Sequence, residues 1–465
     1  MERLSAFDAS MLYSESSSVP LQVCSISELD TTTIPGGYSF EAMREHLASR
    51  LPALPELRAK LANSQLNLDH PVWVEDPDLD LTYHLRRVCL PAPGGRTELA
   101  DLCGRIASSP LDRAKPLWEM WVIEGVDGTD PHDGGPLALM LKVHHAAVDG
   151  VSAAHLISKL CDLEPDAPPP DPVEGPGGAR PFEIAAGGLV RSLTRPLQLA
   201  RAVPATMSTI VSTITRARSG TAMAAPFSAP STVFNTEITA ERIVASAQLD
   251  LGDVKAVKNH FDVKVNDVVM TLCAGALRRY LAKRGELPDK PLLAVVPSSV
   301  HDQSDRPGRN QLSGFFCNLQ THIDDSVERL RAIAESSSRA KGHSAEIAPT
   351  LLSDVTQALP PPMIGFALEL LSHTPLKHTP IHNAVISNVA GPDVPLYVMG
   401  AKINAMYPFG PIFHGSGLNI TVMSLDGKLN VGIISCRKLV NDLWDLADGF
   451  GAELAELVDA ISTER

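Results

Sequence analysis

Two imidazoles and a carboxylate fall close together in the run His144-His145-Ala146-Ala147-Val148-Asp149-Gly150. Imidazole is the side chain whose unperturbed titration lies nearest neutrality, which is what proton abstraction at physiological pH requires. A nearly continuous apolar stretch, Leu137 to Val143, broken only by Lys142, precedes the histidines; after them Ala154, Ile157, Leu160 and Cys161 recur at helical spacing. The motif therefore sits where a buried strand hands over to a helix, a junction that exposes polar side chains to ligands. Asp149, followed by Gly150, suits a turn in which the carboxylate folds back and the imidazole is presented outward. With 15 histidines in the chain, a structural role is the commoner fate of any one of them, so it is this local pattern that singles out the pair.

A metal centre is the competing chemistry for His144, His145 and Asp149. Adjacent residues of a strand point to opposite faces, and no His-Glu-x-x-His or Cys/His cluster accompanies them. No metal and no cofactor is expected.

The elements that must position these residues are α/β in character. Thr97 to Ala107 places Leu99, Leu102, Cys103 and Ile106 on one helical face. Pro116-Leu117-Trp118 then opens a strand in which Trp118, Met120 and Val122 alternate with Glu119, Trp121 and Ile123. Gly252-Asp253 starts a helix, and Asn266-Asp267 precede a second with Val269, Leu272, Cys273, Ala276 and Tyr280 on one side, ending at Gly285. Leu292 to Val296 is a short apolar strand. Asp426-Gly427 lies between two alternating runs, a hairpin signal. A last helix, capped by Asn441 or Asp442, turns Leu443, Ala447, Phe450, Leu454, Leu457 and Ile461 inward.

With 465 residues, two domains are expected: residues 1–163 with the histidine motif, a linker over 164–235, and residues 236–465. The linker is rich in Pro, Gly and acidic residues up to Pro181; over 180–220 it then carries six arginines against the single acidic residue Glu183. A basic, apolar-rich helical segment there lies either in the headgroup region of an anionic membrane or packed between the domains.

A net charge of -14 excludes general nucleic-acid binding, which needs a basic surface. The N-terminus has no apolar signal core and no apolar run reaches the length of a membrane span, so a cytoplasmic protein is expected, with any membrane or lipid-inclusion contact peripheral. Seven scattered cysteines without a Cys-x-x-Cys pair fit a reducing compartment and burial as small hydrophobes.

The histidine motif has company. Leu4-Ser5-x-x-Asp8, Pro116-Leu117-Trp118, His144-His145-x-x-x-Asp149-Gly150, Asn266-Asp267, Asn310-Gln311-Leu312-Ser313 and Asn388-Val389-Ala390-Gly391-Pro392 occur in that order. Together they resemble the bacterial wax ester synthase/diacylglycerol acyltransferase family of the CoA-dependent acyltransferase superfamily, over nearly the whole chain. The resemblance implies two chloramphenicol-acetyltransferase-like domains joined by a linker, with an active-site tunnel between them. It implies acyl-CoA as co-substrate and a lipid alcohol as acceptor, diacylglycerol first and a long-chain fatty alcohol second. It also makes the second histidine, His145, the base and gives Asp149 a chiefly structural role. Two departures stand out: Pro297-Ser298-Ser299-Val300-His301 lacks the arginine usual there, which leaves the partner of Asp149 open, and Ala390 replaces a proline.

Ester formation from a thioester needs a base at the hydroxyl, a donor at the developing oxyanion and exclusion of water. His145 is the expected base, and His144 shapes its surroundings. Gly150, Asn266 and Asp267 are candidates for substrate or oxyanion contacts; Asn266 and Asp267 are equally explained as helix caps. Arg278, Arg279, Lys283 and Arg284 either attract CoA phosphates or form a solvated face. No Gly-x-Ser-x-Gly elbow is present, and Cys161 reads as core, so no acyl-enzyme is expected. A non-catalytic paralogue that binds lipid or coats inclusions is the alternative from another class.

Overall fold

The computed structural model describes residues 2–63, 70–148, 156–178, 183–184, 228–299, 312–346 and 380–463. Asp149, Gly150, Asn310, Gln311, residues 300–301 and all of 180–220 except 183–184 lie outside them.

Two six-stranded sheets carry the molecule. The first has the order β12-β13-β2-β7-β6-β5, built from β2 (Gln22–Asp30), β5 (Leu85–Cys89), β6 (Trp118–Glu124), β7 (Leu137–His144), β12 (Tyr397–Val398) and β13 (Ala401–Phe409). The second has the order β10-β9-β11-β14-β15-β8, from β8 (Arg242–Asp250), β9 (Leu293–Ser299), β10 (Leu312–Asn318), β11 (Ala384–Val389), β14 (Leu418–Leu425) and β15 (Lys428–Cys436). A three-stranded sheet of β1 (Glu2–Arg3), β4 (Val72–Glu75) and β3 (Ala59–Ala62) stands beside the first. The helices are α1 (Ala6–Ser14), α2 (Phe40–Arg50), α3 (Pro55–Arg58), α4 (Leu81–His84), α5 (Arg96–Ser108), α6 (Leu251–His260), α7 (Val265–Lys283), α8 (Ser326–Glu346) and α9 (Trp444–Thr463).

The mixed helix and strand pattern expected from periodicity is what forms. The central strand β7 is buried on both faces, which is why its sequence is a continuous apolar run rather than an alternation. Its one interruption, Lys142, is itself 1% exposed; it pairs across the register with Glu119 of β6, Nζ to Oε2, at 2.9 Å. The alternation read in β6 does not mark a wet face, because Glu119 is buried by this pair and by Trp121, whose Nε1–H donates to it at 3.1 Å. The Asp426-Gly427 hairpin forms as expected: Leu425 pairs with Lys428, and both turn residues take positive φ.

Strands β12 and β13 lie in the same sheet as the histidine strand although they come late in the chain, and β13 pairs with β2 along its length. The two sheets touch backbone to backbone where β13 meets β15. A Cβ on Gly432 would sit 1.9 Å from the Pro408 carbonyl oxygen, so only glycine allows the approach. Helix α5 closes the same junction from the other side, with the Ser108 hydroxyl accepting the Arg242 N–H at 2.8 Å.

Candidate active site

Strand β7 delivers His144 opposite Gln22 of β2, and the chain then leaves the sheet. His144 N–H donates to the Leu117 carbonyl (3.0 Å), His145 N–H to the Leu21 carbonyl (2.9 Å) and Ala147 N–H back to His144 O (2.9 Å). Ala146, Ala147 and Val148 are buried, which small side chains permit in so tight a turn. The Pro116-Leu117-Trp118 motif thus contributes a backbone carbonyl. Trp118 is core, as its sequence context suggests: it is fully buried, its Nε1–H donates to Leu57 O at 2.7 Å, and it stacks on His84 at 4.5 Å between centroids.

The two histidines part company here. His144 is 1% exposed, and its Nδ1 accepts the Ala146 N–H at 3.0 Å, which places the ring proton on Nε2. That nitrogen faces Glu15 Oε1 at 3.5 Å, long for a hydrogen bond, so its N–H dipole rather than a full charge meets the carboxylate. Nδ1 is taken by Ala146 and Nε2 is buried against Glu15 without a hydrogen bond among the described residues, so His144 offers no exposed nitrogen to a substrate hydroxyl. His145 is partly exposed.

Glu15 is the C-cap of α1, a helix started by the Leu4-Ser5-x-x-Asp8 motif, in which Ser5 Oγ accepts the Asp8 N–H. Glu15 Oε1 also accepts the Leu21 N–H (3.2 Å), while Oε2 takes two bonds from Arg113, Nε at 3.0 Å and Nη2 at 2.6 Å. Burial alone would raise the Glu15 carboxyl, but His144 and Arg113 outweigh it and hold it down at about 2. The group is a carboxylate throughout the neutral range.

Beyond the undescribed Asp149 and Gly150, the chain is helical again at residues 156–160. Its far end is clamped: Asp162 forms a buried ion pair with Arg50, Arg50 Nη1 donates to Lys159 O at 2.9 Å, and Asp162 exchanges two 2.8 Å backbone bonds with Tyr397. Cys161, read from the sequence as core, is buried, and desolvation pushes its thiol up to about 12, far from a nucleophilic thiolate.

The cap reading holds for Asp267 and is corrected for Asn266. Helix α7 starts at Val265 with Lys264 as N-cap, and Asp267 Oδ2 accepts the Lys264 N–H at 3.0 Å. Asp267 is therefore the carboxylate that closes the first turn from its third position, and Asn266 lies inside the turn and caps nothing. Asn266 Oδ1 accepts from Asn388 Nδ2 of β11 at 3.4 Å, and its own Nδ2 is buried with no partner among the described residues. The next residue of β11, Val389, and Met423 of β14 pack into the same apolar cluster as Ala146, Ala147 and Val148. The asparagine pair and the histidine turn thus border one cluster, though no hydrogen bond joins them among the described residues.

The cationic run on α7 is spent on neighbours: Arg278 pairs with Asp324 (2.6 Å), Arg279 with Glu456 (2.5 Å), and Lys283 and Arg284 with Asp445 (2.8 and 3.5 Å). A cleft of about 960 Å³ between α7, α8 and α9, lined by Arg279, His322, Arg329 and Glu453, holds none of the motif residues. Sequence reasoning missed Glu15, Arg113 and the Arg50–Asp162 pair, because nothing in local spacing relates residues so far apart along the chain. Asn388 stood in a recognised motif, but its partner did not show.

Comparison with known proteins bears on the whole chain. Residues 4–269 match the wax ester synthase/diacylglycerol acyltransferase catalytic domain, and residues 309–458 the WS/DGAT C-terminal domain. A Mycobacterium tuberculosis protein, whose name carries a provisional assignment as a diacylglycerol O-acyltransferase, is 54% identical over 459 residues, covering 99% of this chain and 90% of its own. The solved wax ester synthase/diacylglycerol acyltransferase from Marinobacter aquaeolei VT8 superposes with a TM-score of 0.72 at 29% identity, covering 99% of this chain and 100% of that one. The trichothecene 15-O-acetyltransferase of Fusarium sporotrichioides shares the fold at 10% identity, with a TM-score of 0.58 over 99% of this chain and 94% of that one.

Proposed function

The chain belongs to the wax ester synthase/diacylglycerol acyltransferase family, and from that premise we propose that it transfers a fatty acyl group from acyl-CoA to diacylglycerol, forming triacylglycerol. The observation that carries the residue assignment is the division of labour between the histidines: His144 is locked by Ala146 and Glu15, whereas His145 is partly exposed at the end of the buried strand.

In this reading His145 takes the proton of the acceptor hydroxyl as its oxygen attacks the thioester carbonyl. The tetrahedral intermediate collapses with cleavage of the C–S bond, and the same imidazolium returns the proton to the departing thiolate. No acyl-enzyme is required. Asp267 closes helix α7. The Asn266 amide is the donor proposed for the oxyanion, since its Nδ2–H has no acceptor among the described residues.

Transfer of labelled palmitoyl to diacylglycerol and to hexadecanol, measured side by side with purified protein, tests the reading. Triacylglycerol is the expected main product; wax ester in excess reverses the acceptor, and no product with either alcohol overturns the assignment. Asn266→Ala is expected to lower kcat by about 100-fold, the scale of one lost oxyanion donor, in a protein that stays folded, since the residue caps nothing and gives up one long bond to Asn388. A kcat within threefold of wild type would remove Asn266 from the mechanism.

No helix of the described residues is long and apolar enough to cross a membrane. Peripheral contact with a membrane or lipid inclusion through the arginine-rich stretch 180–220 would bring the enzyme to an acceptor that is itself a lipid. Flotation with anionic liposomes should show binding that falls when those arginines are replaced by glutamine; equal binding by both proteins removes the contact.

A further inference from the structure

We propose that Glu15, gripped by Arg113, is a positioning residue for the transfer reaction: it holds the His144 ring and the backbone of Leu21, and through both it fixes where His145 stands. The inference rests on His145 being the base.

Two routes lead from Glu15 to His145. Along the first, Oε1 accepts the N–H of Leu21, and the carbonyl of that same buried residue accepts the N–H of His145, at 3.2 and 2.9 Å. Along the second, Oε1 faces His144 Nε2 at 3.5 Å, while His144 Nδ1 orders the turn by accepting from Ala146. The carboxylate side chain is 6% exposed, a costly place for a charge unless it is fully engaged. Arg113 engages its other oxygen twice, and is itself tied to α1 by Nη2 donating to Leu12 O at 2.6 Å. The second His144 nitrogen thus has a built anionic receptor, contributed by a helix end and an arginine far away in sequence. Such a construction orients an imidazole, and sub-ångström orientation of a base is worth more to kcat than to substrate affinity.

A purely structural Glu15 would lower stability and leave the folded enzyme's kinetics intact, so the test separates kcat from KM. Full-length wild type, Glu15→Gln, Arg113→Met and Arg113→Lys are assayed with labelled palmitoyl-CoA and diacylglycerol. Glu15→Gln and Arg113→Met are expected to lose about 10- to 100-fold in kcat with KM for both substrates within about twofold; Arg113→Lys, which keeps the charge, should stay within about threefold of wild type. A folded Glu15→Gln with kcat within twofold of wild type, or a loss that appears in KM, overturns the proposal. Should Glu15→Gln be unfolded by circular dichroism, Arg113→Met decides by the same numbers, because its side chain is 45% exposed and its loss leaves a smaller buried defect. An active wild type with an unaffected Glu15→Gln refutes only this inference; a silent wild type refutes the acyl-transfer reading and this inference with it.

Discussion

His145→Ala is expected to lower kcat for acyl transfer to diacylglycerol by about 10²- to 10⁴-fold, the range that a positioned general base contributes. An alcohol hydroxyl is almost wholly protonated at neutral pH, so without a base the attack must pass through a high-energy oxonium. The thioester is already activated and gains nothing from the imidazole until the proton moves. The change should therefore fall on kcat, with KM for palmitoyl-CoA nearly unmoved. Folding should survive: His145 contributes its backbone N–H to Leu21 O, and alanine retains that bond. His144 is the contrasting position, since Ala146 N–H bonds to its ring and the Glu15 carboxylate faces it, so a loss there would mix chemistry with collapse of the turn. Single-turnover transfer by His145→Ala within tenfold of wild type would exclude His145 as the base.

The largest stability effect is expected from Glu453→Ala. Glu453 of α9 is fully buried and pairs with Arg329 of α8, which is 1% exposed, Oε1 to Nη2 at 2.5 Å; Arg279 approaches its other oxygen at 3.4 Å. Arg329 also donates to the carbonyls of Ile323 and Asp324 and to Ser326 Oγ, so the guanidinium is held in place and cannot swing to water. Removing the carboxylate leaves a buried cation without its counter-charge, which costs about 3–5 kcal/mol. Urea unfolding should show a lower midpoint at unchanged slope. Replacing both partners by apolar residues, Arg329→Met with Glu453→Leu, should restore most of the loss, because the penalty lies in the unpaired charge rather than in the missing bond. A cost below about 1 kcal/mol for Glu453→Ala would mean that water reaches Arg329.

Helix α9 shows both what periodicity can read and where it stops. The predicted inward residues Leu443, Ala447, Phe450, Leu454, Leu457 and Ile461 are all buried, because an apolar stripe at helical spacing has only one way to leave water. Glu453 lies on the same face, and no local rule says that a carboxylate there will be buried; its partner is on another helix. Asn266 and Asp267 teach the same lesson at shorter range. The helix start was legible, but which residue closes it depended on whether the chain entered the helix at Lys264 or at Asn266. The chain enters at Lys264, and Val265, the first helical residue, is partly buried against the apolar cluster around α7 and the second sheet.

Local residue patterns encode the strand that ends at the histidines, the turn after it, the Asp426-Gly427 hairpin and the amphipathic helices, because each is written in residues within a few positions of one another. They also mark the histidine pair as the place for a base, while the choice of His145 over His144 rested on the family resemblance. Folding in three dimensions buries His144 and leaves His145 partly exposed, sets Glu15 and Arg113 behind them, brings Asn266 to Asn388 and returns β12 and β13 to the first sheet. These are pairings across tens to hundreds of residues. Hydrogen bonds and ion pairs of that kind depend on which surfaces the collapsed chain brings together, and no spacing along the chain records it.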